Sequence, residues 1–133
     1  MRVGDRVVAR SGPGLLLLVG IGAHDAPEEV TRLAQKVVHL RIFEDPDGKM
    51  NRSIEDVGGE VLVVPQFTLY GNTSRGRRPS WIEAAPPEAA AERVEAFAVA
   101  LEALGIKVHR GAFQEHMEVE LVNDGPVTLL LEG

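Results

Sequence analysis

The chain has 133 residues, is 44% apolar and 26% charged, and carries fourteen basic against twenty acidic side chains for a formal net charge of -6. That balance excludes a mainly disordered chain and fits one domain spanning residues 1–133. No apolar stretch approaches the roughly 20 residues that cross a bilayer, and no basic-then-apolar leader opens the sequence. The lack of cysteine excludes disulfides, thiolate metal sites and cysteine nucleophiles, and fits a reducing compartment. A net negative chain does not coat a phosphate polymer indiscriminately, so any nucleic-acid contact must use a local basic patch.

In chain order, Arg6 to Ala9 is a short β-favourable run and Ser11-Gly12-Pro13-Gly14 a turn. Leu15 to Val19, apolar without alternation, predicts a strand buried on both faces, closed by Gly20-Ile21-Gly22. The first helix is marked by Asp25 as N-cap, by Pro27 at an early position, and by Glu28 placed as in a capping box. Val30, Leu33, Ala34, Val37 and Leu40 recur at helical spacing and define its buried face. Asp45-Pro46-Asp47-Gly48 is a turn, and Val61 to Val64 a short strand leading into Pro65-Gln66-Phe67-Thr68-Leu69-Tyr70. A polar loop, Gly71 to Ser80, follows. The second helix starts near Pro86-Pro87-Glu88, buries Val94, Phe97, Ala98, Leu101 and Leu104, and stops at Gly105. Ile106 to His109 predicts a strand, and the alternation of Glu118 to Val122 a half-exposed one. After a break at Asn123-Asp124-Gly125-Pro126, Val127 to Leu131 predicts the last strand. Two helices are too few to flank both faces of a large sheet. A mixed α/β arrangement, sheet or open barrel, with the helices on one side is therefore expected.

Conventional catalytic machinery is missing from the pattern. His24, His39, His109 and His116 show no paired metal-ligand spacing, and His39 sits near a helix end, where a cation suits the dipole. Asp45 and Asp47 beside Gly48 lack the remaining ligands of a calcium loop, and Gly20-Ile21-Gly22 lacks the third glycine of a dinucleotide fingerprint. No Gly-x-Ser-x-Gly elbow occurs, which disfavours a triad hydrolase. Gln66-Phe67-Thr68 places polar residues around an aromatic just after a buried strand; it reads either as a strand end satisfying backbone groups or as a site. Asn123-Asp124-Gly125-Pro126 reads either as a plain turn or, if the Gly-Pro bond is cis, as a rigid pair of carbonyl acceptors. Arg75, Arg77 and Arg78 suit phosphate contacts, the alternative being a solvated loop, and Lys49, Asn51 and Arg52 extend the patch if the fold brings them close.

Together these segments resemble the D-aminoacyl-tRNA deacylase, or D-tyrosyl-tRNA deacylase, family. The matching stretches are Gly12-Pro13-Gly14-Leu15, Leu40-Arg41-Ile42-Phe43-Glu44-Asp45, Gly48-Lys49-Met50-Asn51 and Pro65-Gln66-Phe67-Thr68-Leu69-Tyr70. Gly76-Arg77-Arg78-Pro79-Ser80, Ala84-Ala85-Pro86-Pro87 and Val122-Asn123-Asp124-Gly125-Pro126-Val127-Thr128 continue them, so that the order and spacing span nearly the whole chain. The resemblance implies a cytoplasmic homodimer with a three-layer β/β/α, barrel-like fold and two main helices on one side. It implies hydrolysis of the ester between a D-amino acid and tRNA, with no metal or organic cofactor and with aminoacyl-tRNA, not DNA or membrane, as partner. Gln66, Phe67 and Thr68 of one subunit would then face a Gly-cis-Pro element, Gly125 and Pro126 with Asn123 beside it, from the other. Arg75, Arg77, Arg78, Lys49 and Asn51 would contact tRNA. Two departures stand out. Pro65 replaces the serine that usually opens the family motif, and the family's usual first strand, with its bracing arginine, would lie upstream of Met1. The competing readings are a non-catalytic RNA-binding or dimerisation module and a small-ester hydrolase using Thr68.

Overall fold

In the computed structural model, which describes residues 1–133, the chain runs β1 (Arg2–Val3), β2 (Arg6–Val7), β3 (Gly14–Val19), α1 (Pro27–His39), β4 (Phe43–Glu44) and β5 (Met50–Arg52). It continues through α2 (Ile54–Val57), β6 (Glu60–Pro65), a 3-10 turn (Phe67–Tyr70), α3 (Pro87–Ala103), β7 (Lys107–Arg110) and β8 (Met117–Glu118). The central sheet has the order β3-β6-β7, all parallel, with Leu15 opposite Val61 and Val61 opposite Val108. A second, antiparallel sheet has the order β2-β1-β8, and β4 pairs with β5 as a separate hairpin.

Strand β6 decides the layering because alternate side chains leave opposite faces of a sheet. Val61 and Val63 join Val30, Ala34, Val37 and Val38 of α1 and Val94, Phe97 and Leu101 of α3 in the main core. Leu62 and Val64 point the other way and pack with Met1 and Ala9, flanked by Val3, Leu16 and Met117. Helices, parallel sheet and small antiparallel sheet therefore stack as three layers, with the two long helices on one side. The three sheets stay separate and no closed barrel forms.

Several expectations need correction. Strand β3 lies at the edge of its sheet, so Leu15, Leu17 and Val19 reach the helical core while Leu18 remains 47% exposed. The first helix takes Ala26, not Asp25, at its N-cap position and has no side-chain cap. On α1 Val38 is fully buried, while Leu33 and Leu40 are only half-buried. The Glu118 to Val122 strand shrinks to Met117–Glu118, and Val127 to Leu131 forms no ladder. The short helix α2 was not anticipated, although Ser53 and Asp56 stand at capping-box spacing. Ser53 Oγ accepts from the Asp56 N–H at 3.2 Å and the Asp56 carboxylate accepts from the Ser53 N–H at 2.9 Å.

Two ion-pair clusters tie the strands' ends together. Glu60 accepts from the Gly12 N–H at 3.1 Å and meets His109 Nε2 at 2.6 Å. The His109 hydrogen bond first, and the Gly12 N–H second, hold the Glu60 carboxyl below its usual range. Arg110 is clamped between Glu102 at 2.6 Å and Glu95 at 2.9 Å, joining β7 to α3 and raising the affinity of its guanidinium for its proton. Gly14 is required where β3 meets β6, since a Cβ there would fall 1.8 Å from the Glu60 carbonyl oxygen.

Candidate active site

The end of β6 produces a turn that exposes backbone donors beside an aromatic side chain. The Gln66 N–H still donates to the Val19 carbonyl at 2.8 Å, holding the chain against β3. Because β3 stops at Val19, the ladder cannot continue, and Gln66 swings to φ -145°, ψ 81°. The segment is thus a 3-10 turn rather than a strand end. Its first internal bond runs from the Leu69 N–H to the Gln66 carbonyl at 3.3 Å, and the Gly71 N–H closes it on the Thr68 carbonyl at 2.9 Å. A 3-10 ladder bonds each N–H three residues back, so the Phe67 and Thr68 N–H groups precede the ladder and stay outside it.

The side chains of the turn are arranged around those two donors. Gln66 Nε2 donates to Thr68 Oγ1. The amide is a proton donor, not a base, so nothing bonded to the Thr68 hydroxyl can activate it as a nucleophile. Phe67 is 57% exposed, and its ring meets Trp81 edge-on, with centroids 5.6 Å apart and planes at 66°.

The arginine loop springs from the same frame. Asn72 and Ser80 exchange two main-chain bonds, 2.7 and 2.9 Å, that pinch its neck. The Asn72 side chain accepts from the Ser74 N–H at 2.9 Å and fixes the first bend. Arg75, Arg77 and Arg78 beyond the neck are all exposed, and none of them pairs with a carboxylate.

The β4–β5 hairpin is a separate structure. Asp45 accepts from the Asp47 and Lys49 N–H groups, both at 2.9 Å, and from Asn51 Nδ2 at 2.8 Å. The Asn51 bond first, then the Lys49 N–H, hold the Asp45 carboxyl below its ordinary range. Asn51 is thereby committed to its own turn, whereas Lys49 remains exposed. No hydrogen bond or ion pair joins this hairpin to the 71–80 loop.

Residues 121–126 form the second half of the expected site and stand by themselves. Asn123 Nδ2 donates to Thr128 Oγ1 at 2.9 Å, and no hydrogen bond links this segment to the Gln66–Thr68 turn of the same chain. All peptide bonds are trans, Gly125–Pro126 included. The segment is exposed, so nothing packed against it opposes the intrinsic trans preference of an X–Pro bond, about 0.5–1 kcal/mol. Asp25, Tyr70 and Trp81 were not anticipated at the site. From sequence, Tyr70 is only the last residue of the Pro65–Tyr70 stretch and Asp25 only a cap, and the paired glycines Gly20 and Gly22 are set aside for lacking a nucleotide fingerprint.

The family model for D-Tyr-tRNA(Tyr) deacylase matches residues 1–132. The chain belongs to that family. A D-aminoacyl-tRNA deacylase of Heliobacterium modesticaldum is 57% identical over 126 residues, covering 95% of this chain and 84% of the relative. A solved chain described as c-Myc DNA Unwinding Element Binding Protein superposes with a TM-score of 0.92 at 34% identity, over 99% of this chain and 90% of that one. A probable eukaryotic D-amino acid tRNA deacylase shares the fold at a TM-score of 0.72 and 18% identity, over 85% of this chain and 81% of that one. The deacylase family thus accounts for the three-layer architecture. No helix is long and apolar enough to cross a membrane.

Proposed function

We propose that the chain hydrolyses the ester joining a D-amino acid to the terminal adenosine of tRNA, as a cytoplasmic homodimer using neither metal nor organic cofactor. The observation that carries this reading is the pair of N–H groups, Phe67 and Thr68, left outside the 3-10 ladder at an exposed turn. An aminoacyl ester is already activated, so two donors aimed at the carbonyl oxygen can supply the main stabilisation as charge develops there and water attacks. The substrate's own ribose 2′-hydroxyl assists the attack. Gln66 orients the turn through Thr68. Arg75, Arg77 and Arg78 take tRNA phosphates, with Lys49 as a further cation, while Asn51 acts indirectly by holding the hairpin that carries Lys49.

Chiral selection falls to Gly125 and Pro126 of the other subunit, with Asn123 shaping their approach. Once ammonium and carbonyl are fixed, inverting the α-carbon exchanges hydrogen and side chain, and a main-chain oxygen placed there rejects the L form without the aligned carbonyl pair that a cis bond would give. Glycine has nothing to reject and should be hydrolysed too. Support for a second subunit comes from the apolar residues bracketing the segment: Val122 is 89% exposed and Leu130 76%.

Hydrolysis of D-, L- and glycyl-tRNA tests the reading. Rapid loss of the D and glycyl esters with the L ester spared is expected, and comparable L turnover overturns the chiral account. Binding of tRNA without loss of any D ester would instead establish the non-catalytic RNA-binding module. Thr68→Ala is expected to cost less than about tenfold, because loss of a true nucleophile costs several orders of magnitude.

A further inference from the structure

We infer that Asp25 and Tyr70 are a positioning pair, which seats the Gln66–Thr68 turn against the Gly20–Gly22 backbone so that its free N–H groups are correctly aimed. This rests on the proposed site and adds two residues that touch neither substrate nor reacting atoms.

Asp25 has given up the role its position invites. It immediately precedes Ala26, the N-cap residue of α1, yet makes no cap bond; instead one carboxylate oxygen accepts from the Gly22 N–H at 2.6 Å and the Tyr70 hydroxyl at 3.3 Å. A good N-cap stabilises a helix, and that preference has been given up for contacts to Gly22 and, across the fold, to Tyr70. The glycines show how closely the turn is seated. A Cβ on Gly22 would lie 2.7 Å from the Tyr70 hydroxyl oxygen. A Cβ on Gly20 would lie 3.1 Å from the Gln66 carbonyl oxygen, 3.2 Å from Leu69 Cβ and 3.3 Å from Tyr70 Cδ2. A side chain at Gly22 would force the Tyr70 hydroxyl to move, and one at Gly20 would require Gln66, Leu69 and Tyr70 to give by a few tenths of an ångström.

The platform that Asp25 belongs to is itself fixed. The Ala23 N–H donates to the Glu83 carbonyl and the Ala85 N–H to the Ile21 carbonyl, each at 2.9 Å. The loop between β3 and α1 is therefore pinned to the segment following the arginine loop, independently of Tyr70. In a 3-10 turn residues three apart lie on the same edge, so Tyr70 at the end sits beneath Phe67 at the start. Releasing the Tyr70 hydroxyl frees the turn to tilt as a unit, carrying the Phe67 and Thr68 N–H groups off the oxyanion. The arginine loop, pinched at Asn72 and Ser80, keeps its shape. The pair should accordingly govern the chemical step and not tRNA affinity.

Steady-state hydrolysis of D-tyrosyl-tRNA by the full chain tests this, with melting temperatures taken alongside. Tyr70→Phe and Asp25→Ala are each expected to lower kcat by about tenfold with KM within twofold, since small misplacement of preorganised donors costs rate. Asp25→Asn keeps an acceptor oxygen and should restore most of kcat. The double variant Asp25→Ala/Tyr70→Phe should be no slower than Asp25→Ala alone. Tyr70→Phe with kcat within twofold of the parent overturns the inference whatever happens to melting, as does a multiplicative loss in the double variant. Phe67→Pro against Phe67→Ala tests the site itself. Proline suits the first position of the turn, and Gln66, at φ -145° and ψ 81°, lies outside the helical region that a following proline disfavours, so the pair of variants isolates the N–H. Equal rates for those two would sink the proposed site and the pair with it. A slower Phe67→Pro beside an unaffected Tyr70→Phe would sink the pair alone.

Discussion

Val61 to Val64 and Val127 to Leu131 are both short apolar runs, and the molecule treats them oppositely. The first runs between β3 and β7, with Val61, Val63 and Val64 all at 1% exposure or less. Every backbone group there has a strand to pair with, and both faces have a layer to cover them. The second has no ladder, and Leu129 and Leu130 stand 58% and 76% exposed while Leu131 alone tucks against the core. Periodicity and composition state which residues need covering; they do not state which chain supplies the cover. On the proposed reading the second run is half of an interface, and Asn123, Gly125 and Pro126 ride on it.

Breaking that half should produce the largest effect. Val122→Asp with Leu130→Asp places two charges where a partner would exclude water, and unpaired buried charges are strongly disfavoured. The variant is expected to sediment as a monomer with an unchanged far-UV spectrum, and to lose D-aminoacyl-tRNA hydrolysis by about a hundredfold or more. A dimer that persists, or a monomer that still turns over, would separate this segment from the active site. Leu101→Ala probes the other side of the comparison. Leu101 is fully buried within one protomer, so its truncation should cost about 2–5 kcal/mol at every protein concentration. The aspartate pair should instead abolish the concentration dependence of the melting temperature.

The same division explains how much could be read in advance. Both long helices were legible because a helix carries its own period, and α3 buries Val94, Phe97, Ala98 and Leu101 as expected, whereas Leu104, at the C-cap, is only half-buried. Gly105, at φ 89°, ends it as a left-handed glycine should. Strand β6 was legible because both faces are apolar. By contrast, Asp25 was read as a cap because capping is local, whereas its actual partners, Gly22 and Tyr70, are set by how β3 meets the turn after β6. The pairing of Glu60 with His109 joins residues on neighbouring strands and leaves no mark at any spacing. Residue type singled out Gln66, Phe67 and Thr68 without deciding between a strand end and a site, and the donors outside the ladder on which the proposed site rests follow from a 3-10 turn that the sequence did not reveal.

The arginine loop offers a gentler way to sharpen the contrast, because it should govern binding and leave chemistry alone. Arg77→Ala and Arg78→Ala are each expected to raise KM severalfold with kcat unchanged. Each should flatten the dependence of log KM on log salt by about one unit of slope, as loss of one phosphate contact requires. Lys49→Ala, on the detached hairpin, should do the same more weakly. A change in kcat from any of these would mean that the loop helps to set the turn, contrary to the independence of its Asn72–Ser80 neck.

The smallest expected effect is an alkaline one, and it returns to the turn. Burial first, and the charge of Asp25 second, raise the Tyr70 phenol above its ordinary value near 10. A proton held more tightly in the folded than in the unfolded chain stabilises the fold in full below the unfolded value. That contribution is lost as pH rises through the folded value. Denaturant melts of the parent and of Tyr70→Phe should therefore differ most near neutral pH, with the gap closing above about pH 10. Its size should stay under about 1 kcal/mol, since solvent screens a half-buried pair. A gap constant from pH 8 to 11 would mean that the hydroxyl contributes nothing to holding the turn, leaving only the packing of the ring on Gly20 and Gly22.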